Sequence, residues 1–298
     1  MDFGIGESYA LASAFAWAVA VILFKRSGEQ LPPFELNLVK NLLATVLLAV
    51  TVWLLAGAQL PHLGPVDIGL TVASGVLGIA VGDTLYFRAL NLLGASRMGV
   101  AQTLYSPCVI LLSVMFLGER LYWWQVGGVA LVLGGILLVS YVGKGISIAR
   151  STLVLGFTLA AASVFMMALG IVLAKPLLVQ HDFLWIVFLR TAAGLLGMLL
   201  LVAWRRQWRS LWQTYRGVRR WPVIVAGAVC GTYLAMIFWL AGYKYTDMSV
   251  AAVLNELAAV FILVLAVIFL RERIGRRQIL GTLLAMLGVA LVVARPSA

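Results

Sequence analysis

The sequence predicts an all-α integral membrane protein whose ten transmembrane helices form two inverted five-helix repeats. Three observations lead to this prediction: the composition, ten long apolar runs, and similarity between the two halves of the chain. Of the 298 residues, 63% are hydrophobic and 11% are charged. Soluble domains are about 45–50% apolar and about 25% charged. The composition therefore excludes a soluble globular protein, and its low charge excludes a disordered one.

Ten apolar runs are separated by short connections that contain turn and helix-breaking residues, such as Pro32, Pro33 and Gly94. A helix needs about 20 apolar residues to cross the hydrocarbon layer, and ten such helices use nearly the whole chain. The predicted spans are residues 7–25, 34–56, 66–90, 96–117, 122–142, 153–174, 184–204, 221–242, 249–270 and 278–294.

The second half of the chain repeats the first. Residues 6–25 match residues 156–175 at 8 of 20 positions, and residues 96–139 match residues 249–292 at 15 of 44. The strongest part places Phe-Leu-Gly-Glu-Arg at 116–120 over Phe-Leu-Arg-Glu-Arg at 269–273. Five spans per repeat is an odd number, so the two repeats enter the membrane from opposite faces. We predict repeats at 1–147 and 148–298 that together form one membrane domain.

The net charge of +11 lies mainly in the connections. The connections that follow odd-numbered spans hold sixteen Lys and Arg residues, and the opposite face holds four. The positive-inside rule therefore predicts that both termini are extracytoplasmic. Basic residues in this position are typical of orientation and lipid contact, so we predict membrane lipids and no nucleic acid as partners.

Each repeat closes with Leu-x-Glu-Arg and a following span that contains Gly-x6-Gly. With Tyr-Phe-Arg-Ala-Leu at 86–90 ahead of Ser96, and Pro107 in span four, this pattern resembles the drug/metabolite transporter superfamily, in particular its EamA-type ten-helix branch. The resemblance implies a central cavity lined by spans 1–4 and 6–9, with spans 5 and 10 peripheral. It also implies export of amino acids, related metabolites or drugs. Val260 stands opposite Pro107, which leaves a kink in span nine open.

Among the ionisable residues of the predicted spans, four stand out by their depth: Lys40, Asp83, Arg190 and Glu256. A charge in the bilayer is costly, so such residues mark a functional site by default. At about 1.5 Å of rise per residue, Lys40 and Asp83 fall in one half of the membrane and Arg190 and Glu256 in the other. We therefore predict two pairs of opposite charge, one towards each face.

Three interpretations of these charges stay open. They are static ion pairs between helices, gates or ligands for a charged substrate, or side chains that reach a nearby membrane surface. A further hypothesis is that Asp83 or Glu256 binds and releases a proton during transport.

Polar and aromatic residues extend the candidate site. Gln102 and Asn255 are repeat equivalents that could hydrogen-bond a zwitterion or a neighbouring helix. Aromatic side chains suit apolar, aromatic or cationic ligands, although many membrane aromatics face lipid. Glu119 and Glu272, at span ends, are interpreted as helix-end caps. The full predicted site is Lys40, Asp83, Arg190, Glu256, Gln102, Asn255, Trp17, Tyr86, Tyr105 and Trp239.

These features predict a secondary transporter that exports a small polar or amphipathic metabolite, such as an amino acid, across the inner membrane by alternating access. A flippase subunit for a lipid-linked head group, or a drug exporter, is the alternative. The sequence has no P-loop, nucleophile elbow or metal-ligand spacing. We therefore predict no enzymatic activity, cofactor or metal, and leave the choice between monomer and homodimer open.

Overall fold

The computed structural model describes residues 4–56, 61–117, 122–140, 149–245 and 254–293, and within these ranges every regular element is a helix. The predicted all-α membrane fold is therefore confirmed. The helices of the described ranges are α1 (Ile5–Ser27), α2 (Pro33–Leu55), α3 (Pro65–Leu93), α4 (Ala95–Phe116), α5 (Trp123–Ser140), α6 (Arg150–Gln180), α7 (Phe183–Trp204), α8 (Trp208–Arg216), α9 (Trp221–Gly242), α10 (Leu254–Leu270) and α11 (Arg276–Val293).

Within the described ranges, seven helices (α1–α4, α6, α7 and α9) are long and apolar enough to cross a membrane. Helices α5 and α10 include shorter apolar stretches, and the count of ten spans stays a prediction. Helix α6 extends to Gln180, beyond the predicted end at residue 174, and contains Pro176. Membrane helices tolerate such a proline where neighbouring groups satisfy the freed backbone. The predicted repeat boundary at 147/148 lies outside the described residues.

Local sequence signals account for several helix ends. Helices α2 and α3 begin at Pro33 and Pro65, whose missing N–H is not needed in a first turn. The Asp182 carboxylate accepts a hydrogen bond from the backbone N–H of Trp185 at 3.2 Å and so caps α7. Gly94 separates α3 from α4 with φ of +81°, a conformation that favours glycine because it has no Cβ.

Helices of each repeat pack against helices of the other repeat. Helix α1 packs against α9 and α10, while α6, the first helix of the second half, packs against α3 and α4. Likewise α2 packs against α7, and α5 against α11. This reciprocal arrangement is what two repeats related by an inverted pseudo-twofold axis produce. It brings α1, α3, α4 and α10 together around the centre of the molecule.

Helices α5 and α11 form a peripheral pair through small residues. A Cβ on Gly135 would lie 2.5 Å from the carbonyl oxygen of Gly281, and one on Gly288 would lie 2.6 Å from that of Gly128. Val132 and Ala285 are fully buried in the same contact. Glycine at these positions permits the close backbone approach on which helix association in lipid depends.

Four membrane helices contain irregular turns within the described residues. Helix α3 widens into a π-helical segment at Gly75–Gly82, and α9 does so at Val229–Leu234. Extending the register of Ser96 over Ser249 places these two segments over each other. Helices α4 and α10 contain i→i−3 turns around Leu104 and Leu257, which are also repeat equivalents. Irregular turns of this kind expose backbone groups inside a bundle and often mark functional sites.

Pro107 explains the break in α4, because it has no N–H to donate to the carbonyl of Thr103 four residues earlier. Helix α10 breaks at the equivalent place without a proline. There the N–H of Val260 donates to Leu257 at 3.0 Å, three residues back. Span nine therefore contains an irregular turn at the place equivalent to the one near Pro107, although it has no proline there.

Candidate functional site

Lys40 on α2 and Asp83 on α3 form the ion pair that their predicted depths indicate. The Lys40 Nζ atom lies 2.5 Å from Asp83 Oδ2, and the two side chains are 6% and 16% exposed. The ammonium also lies 5.8 Å from the centre of the Phe87 ring, within cation–π range. An ammonium and a carboxylate this close and this buried hold α2 against the inner part of α3.

Arg190 does not pair with Glu256, so the second predicted ion pair is wrong. Its Nε atom donates to the Ser74 hydroxyl at 2.6 Å, and Ser74 donates to the carbonyl of Gly170 at 2.5 Å. The carboxylate of Asp83 lies within Coulomb range of the guanidinium. Arg190 therefore belongs to the same charged group as Lys40 and Asp83.

Helix packing explains why Arg190 and Glu256 do not form an ion pair. Residue counting gives depth along the membrane normal, but it does not say which helices are neighbours. Helix α7, which carries Arg190, packs against α2 and α3, whereas α10 packs against α1 and α4. Glycines make the contact between α7 and α3 close: a Cβ on Gly75 would lie 2.2 Å from the backbone oxygen of Arg190. This proximity places the Arg190 guanidinium against the π-helical segment of α3.

Glu256 lies at the break in α10 and contacts the break in α4. Its Oε1 atom accepts a hydrogen bond from the Ser106 hydroxyl at 2.7 Å. Among the residues that the structure describes, no Lys or Arg side chain lies within salt-bridge distance of this carboxylate. Glu256 therefore differs from Asp83, which is already neutralised by a lysine.

Two predicted residues, Trp17 and Tyr86, contact a third, Gln102, and the three lie on different helices. The Trp17 indole N–H and the Tyr86 hydroxyl each donate to Gln102 Oε1 at 3.2 Å. The Trp17 and Tyr86 rings lie 6.0 Å apart. Tyr86 is 2% exposed, while Trp17 and Gln102 are half-buried. The cluster joins α1, α3 and α4 and leaves part of the indole accessible.

Three predicted residues remain: Tyr105, Asn255 and Trp239. Tyr105 follows the break in α4, is half-buried, and lies within Coulomb range of Arg190. Asn255 is half-buried and precedes Glu256 in α10, and Trp239 is half-buried on α9.

The side-chain amides of Asn37 and Asn41 form hydrogen bonds to other groups of the protein. The Asn37 amide donates to the carbonyls of Ile79 at 2.8 Å and Ala80 at 3.2 Å, and to the Thr84 hydroxyl at 3.0 Å. Asn41 donates to the side-chain oxygen of Asn37 at 2.8 Å. The Asn37 bonds satisfy carbonyls of the π-helical segment and join α2 to α3. The Asn41 bond, one turn along α2, holds the Asn37 amide in place.

Glu272 caps a helix of the other repeat. Its carboxylate accepts hydrogen bonds from the backbone N–H groups of Ala95 at 2.8 Å and Ser96 at 3.0 Å, and from the Ser96 hydroxyl at 2.5 Å. A negative charge at a helix N-terminus is stabilising, and a Cβ on Gly94 would lie 2.7 Å from the same carboxylate. The equivalent predicted cap, Glu119, lies outside the described residues.

Ser74 and Gly170 are site residues that the sequence does not identify. Ser74 lies in an apolar run with no charged neighbour, and its role depends on Arg190, 116 positions away. Small residues in membrane helices are usual at packing contacts, so this one carried no distinguishing signal.

The described residues thus contain one charged group, formed by Lys40, Asp83 and Arg190, and a separate carboxylate, Glu256, held by Ser106. Side chains of both signs are chemically able to bind a ligand that carries both charges. Within the described ranges, no group of three His, Cys, Asp or Glu side chains could hold a metal ion.

Comparison with known proteins agrees with this architecture. A curated Archaeoglobus fulgidus protein named "Uncharacterized transporter" is 32% identical over 106 residues, which are 36% of this chain and about a third (34%) of that protein. A Bacillus subtilis protein, "Uncharacterized transporter YvbV", is 24% identical over 284 residues, 93% of this chain and 87% of its own length.

A solved crystal structure superposes with a TM-score of 0.65 at 20% identity, over 96% of this chain and 95% of that chain, and shows the same fold. A sequence model described as the "EamA-like transporter family" matches residues 4–141 and 154–294, one match in each half. The two-repeat match, the helical fold and the transporter names of the relatives agree with one another. The chain therefore belongs to the EamA-like transporter family.

Proposed function

We propose that this member of the family is a secondary transporter that exports a small zwitterionic metabolite, an amino acid or a close analogue, by alternating access. The observation that carries the proposal is the presence of charges of both signs between membrane helices. Lys40, Asp83 and Arg190 lie at the contacts of α2, α3 and α7, and Glu256 lies at the contact of α10 with α4. Charges at this depth are costly and are retained where they serve a function.

The balance of charge determines which ligand fits. Asp83 neutralises one of its two neighbouring cations, so one positive charge remains for a substrate carboxylate. Arg190 suits that role, because Ser74 uses only its Nε atom, and a guanidinium can bind a carboxylate with two parallel hydrogen bonds. Glu256 would accept the ammonium group of the same substrate. The half-buried Trp17 indole would contact its side chain.

Two features support alternating access. The breaks in α4 and α10 occur at equivalent positions, so either repeat contains the joint needed to adopt the other's conformation. Glu272, near the end of α10, holds the first turn of α4 from the opposite repeat. Because this contact joins the two repeats, it would have to release when they move apart at that end of the molecule.

We also propose that Glu256 couples transport to protons. Its hydrogen bond to Ser106 can be kept when the carboxyl is protonated, since a hydroxyl can donate or accept. Protonating Asp83, by contrast, would break its ion pair with Lys40. Reconstituted Glu256→Gln protein should transport without a response to a pH gradient. Persistence of the gradient response in a Glu256→Gln/Asp83→Asn variant would exclude carboxylate coupling.

The inner membrane, with both termini extracytoplasmic, is the proposed location. Its support is the sixteen-to-four distribution of basic residues between the two faces. Cysteine labelling of the intact cell at either terminus, with a membrane-impermeant maleimide, tests this orientation. Labelling only after cell lysis would reverse it.

The substrate class is tested with purified protein and a panel of amino acids, organic cations, nucleosides and lipid-linked head groups. A ligand at 100 times its Kd adds about 2.7 kcal/mol to the folded state. We expect stabilisation by an amino acid, and uptake of that compound into proteoliposomes. Both signals should be lost in Arg190→Gln, whereas Glu256→Gln should bind the amino acid more weakly and take it up without a response to a pH gradient. The exposed Arg88→Gln and Glu29→Gln are the charge-matched controls.

Other results would contradict the proposal. Stabilisation by organic cations alone, lost only in Glu256→Gln, would indicate a drug exporter. Stabilisation by lipid-linked head groups alone would indicate a flippase subunit. An amino acid that binds equally well to Arg190→Gln would remove the guanidinium from the substrate site.

A further inference from the structure

The surface helix α8 lies in the connection between α7 and α9, a region that the sequence predicts only as a loop. Since α7 ends at Trp204 and α9 begins at Trp221, both at the same end of the bundle, α8 must lie at a membrane surface. The connection contains no acidic residue. Its arginines, all of them exposed, are Arg205, Arg206, Arg209, Arg216, Arg219 and Arg220.

One side of α8 is attached to the bundle. Leu211 and Tyr215 pack against the cluster around Leu38 and Met198. The Tyr215 hydroxyl donates to the backbone oxygen of Glu35 at 2.9 Å. These contacts fix which side of the short helix faces away from the protein.

Exposed aromatic and cationic groups surround this attachment. Trp208 and Trp212, one turn apart on the same side of α8, are 51% and 66% exposed, and Trp204, at the end of α7, is 82% exposed. Tryptophan is typical of the membrane–water interface, where its ring meets the acyl chains and its N–H meets the head groups. Six arginines around these tryptophans require a partner that is anionic and apolar at once.

We propose that α8 and its flanking arginines bind anionic phospholipids of the surrounding membrane. A phospholipid supplies both parts of the required chemistry. Its phosphate matches the planar donor set of arginine, and its acyl region receives the tryptophan rings. A soluble acidic protein or a nucleic acid would pair with the arginines but would leave the tryptophans in water. The proposed transport function is not needed for this inference.

The experiment uses the full chain, purified and stripped of lipid. Binding of phosphatidylglycerol is measured by native mass spectrometry and is compared with phosphatidylcholine. We expect phosphatidylglycerol to bind at least about tenfold more tightly, and Arg209→Gln/Arg216→Gln to lose most of that preference, since each basic side chain adds to attraction at an anionic surface. Arg273→Gln/Arg276→Gln removes two exposed charges elsewhere and should keep the preference.

Several outcomes would overturn the proposal. These are equal binding of the two lipids, equal loss in both variants, or displacement of the lipid by inorganic phosphate or RNA at comparable concentration. If the α8 variant does not fold, the wild-type chain is measured at rising ionic strength, because screening must weaken the phosphatidylglycerol preference. A preference that does not change with salt would also refute the proposal.

Discussion

Removing one member of the Lys40–Asp83 pair should destabilise the protein more than removing both. The two charges lie 2.5 Å apart, with 6% and 16% of their side chains exposed. Breaking a buried pair costs about 3–5 kcal/mol, because one charge stays buried without compensation. Replacing both members by apolar side chains of similar volume is often close to neutral.

Arg190 makes the two single substitutions unequal. Lys40→Met leaves Asp83 within Coulomb range of the guanidinium, so the cost should lie near about 3 kcal/mol. Asp83→Leu leaves Lys40 and Arg190 as two buried like charges, so the cost should lie near about 5 kcal/mol. The double substitution removes this repulsion, and its cost should be well below the sum of the two.

The assay is thermal unfolding of each variant in phosphatidylcholine nanodiscs. At about 2 °C per kcal/mol, the low end that suits a long chain, Lys40→Met should lower Tm by about 6 °C, and Asp83→Leu by more. The control is Glu29→Gln, an exposed carboxylate in the turn after α1. It should cost less than about 1 kcal/mol.

Two results would refute this reasoning. Strictly additive costs in the double variant would mean that the two side chains do not interact energetically. A smaller cost for Asp83→Leu than for Lys40→Met would mean that Arg190 does not act on this pair.

Three further predictions follow from other contacts. Gly75→Ala should lower Tm and weaken the contact between α3 and α7, since its Cβ would lie 2.2 Å from a backbone oxygen, whereas Gly69→Ala, with nothing within 4 Å, should not. Glu272→Gln should cost about 0.5–2 kcal/mol through the weakened cap, against an exposed Glu29→Gln control, and an equal loss in both would contradict the capping role. Burial, with a smaller contribution from Glu35, raises the pKa of Tyr215 above its ordinary value. The unfolded chain therefore loses this proton first, so stability should be unaffected below about pH 10 and fall above it; denaturant titrations should show a shallower alkaline decline in Tyr215→Phe.

The local sequence pattern was sufficient to predict most of the fold. Apolar runs separated by prolines and Gly94 place the helices close to their observed positions, because hydrocarbon leaves helices as the stable form for a chain of this composition. The α6 extension past Pro176 and the surface helix α8 were missed. In α6, contacts with neighbouring groups allow the helix to pass the proline. In α8, Trp208, Leu211, Trp212 and Tyr215 stand at i, i+3, i+4 and i+7, the pattern of an amphipathic surface helix, which a search for long apolar runs does not detect.

The sequence predicted which charged residues lie inside the membrane helices, but not all of the contacts between them. Lys40 and Asp83 were matched correctly, since they lie at equal depth on helices that are adjacent in sequence and in space. Arg190 and Glu256 were matched wrongly, because equal depth does not make their helices neighbours. Ser74, the actual partner of Arg190, has no signal in the sequence.

By itself the sequence determined the membrane environment, the helical elements, the internal repeat and the charged residues inside the spans. These features depend only on composition and on the order of side chains along the chain. Tertiary structure decided which helices are neighbours, where the backbone breaks, and which ion pairs form. The irregular turn at Leu257 shows the difference most clearly. It lies at the position equivalent to Leu104 in the other repeat, but no proline is present there from which it could be predicted. Contacts between distant segments depend on packing, which no local pattern contains.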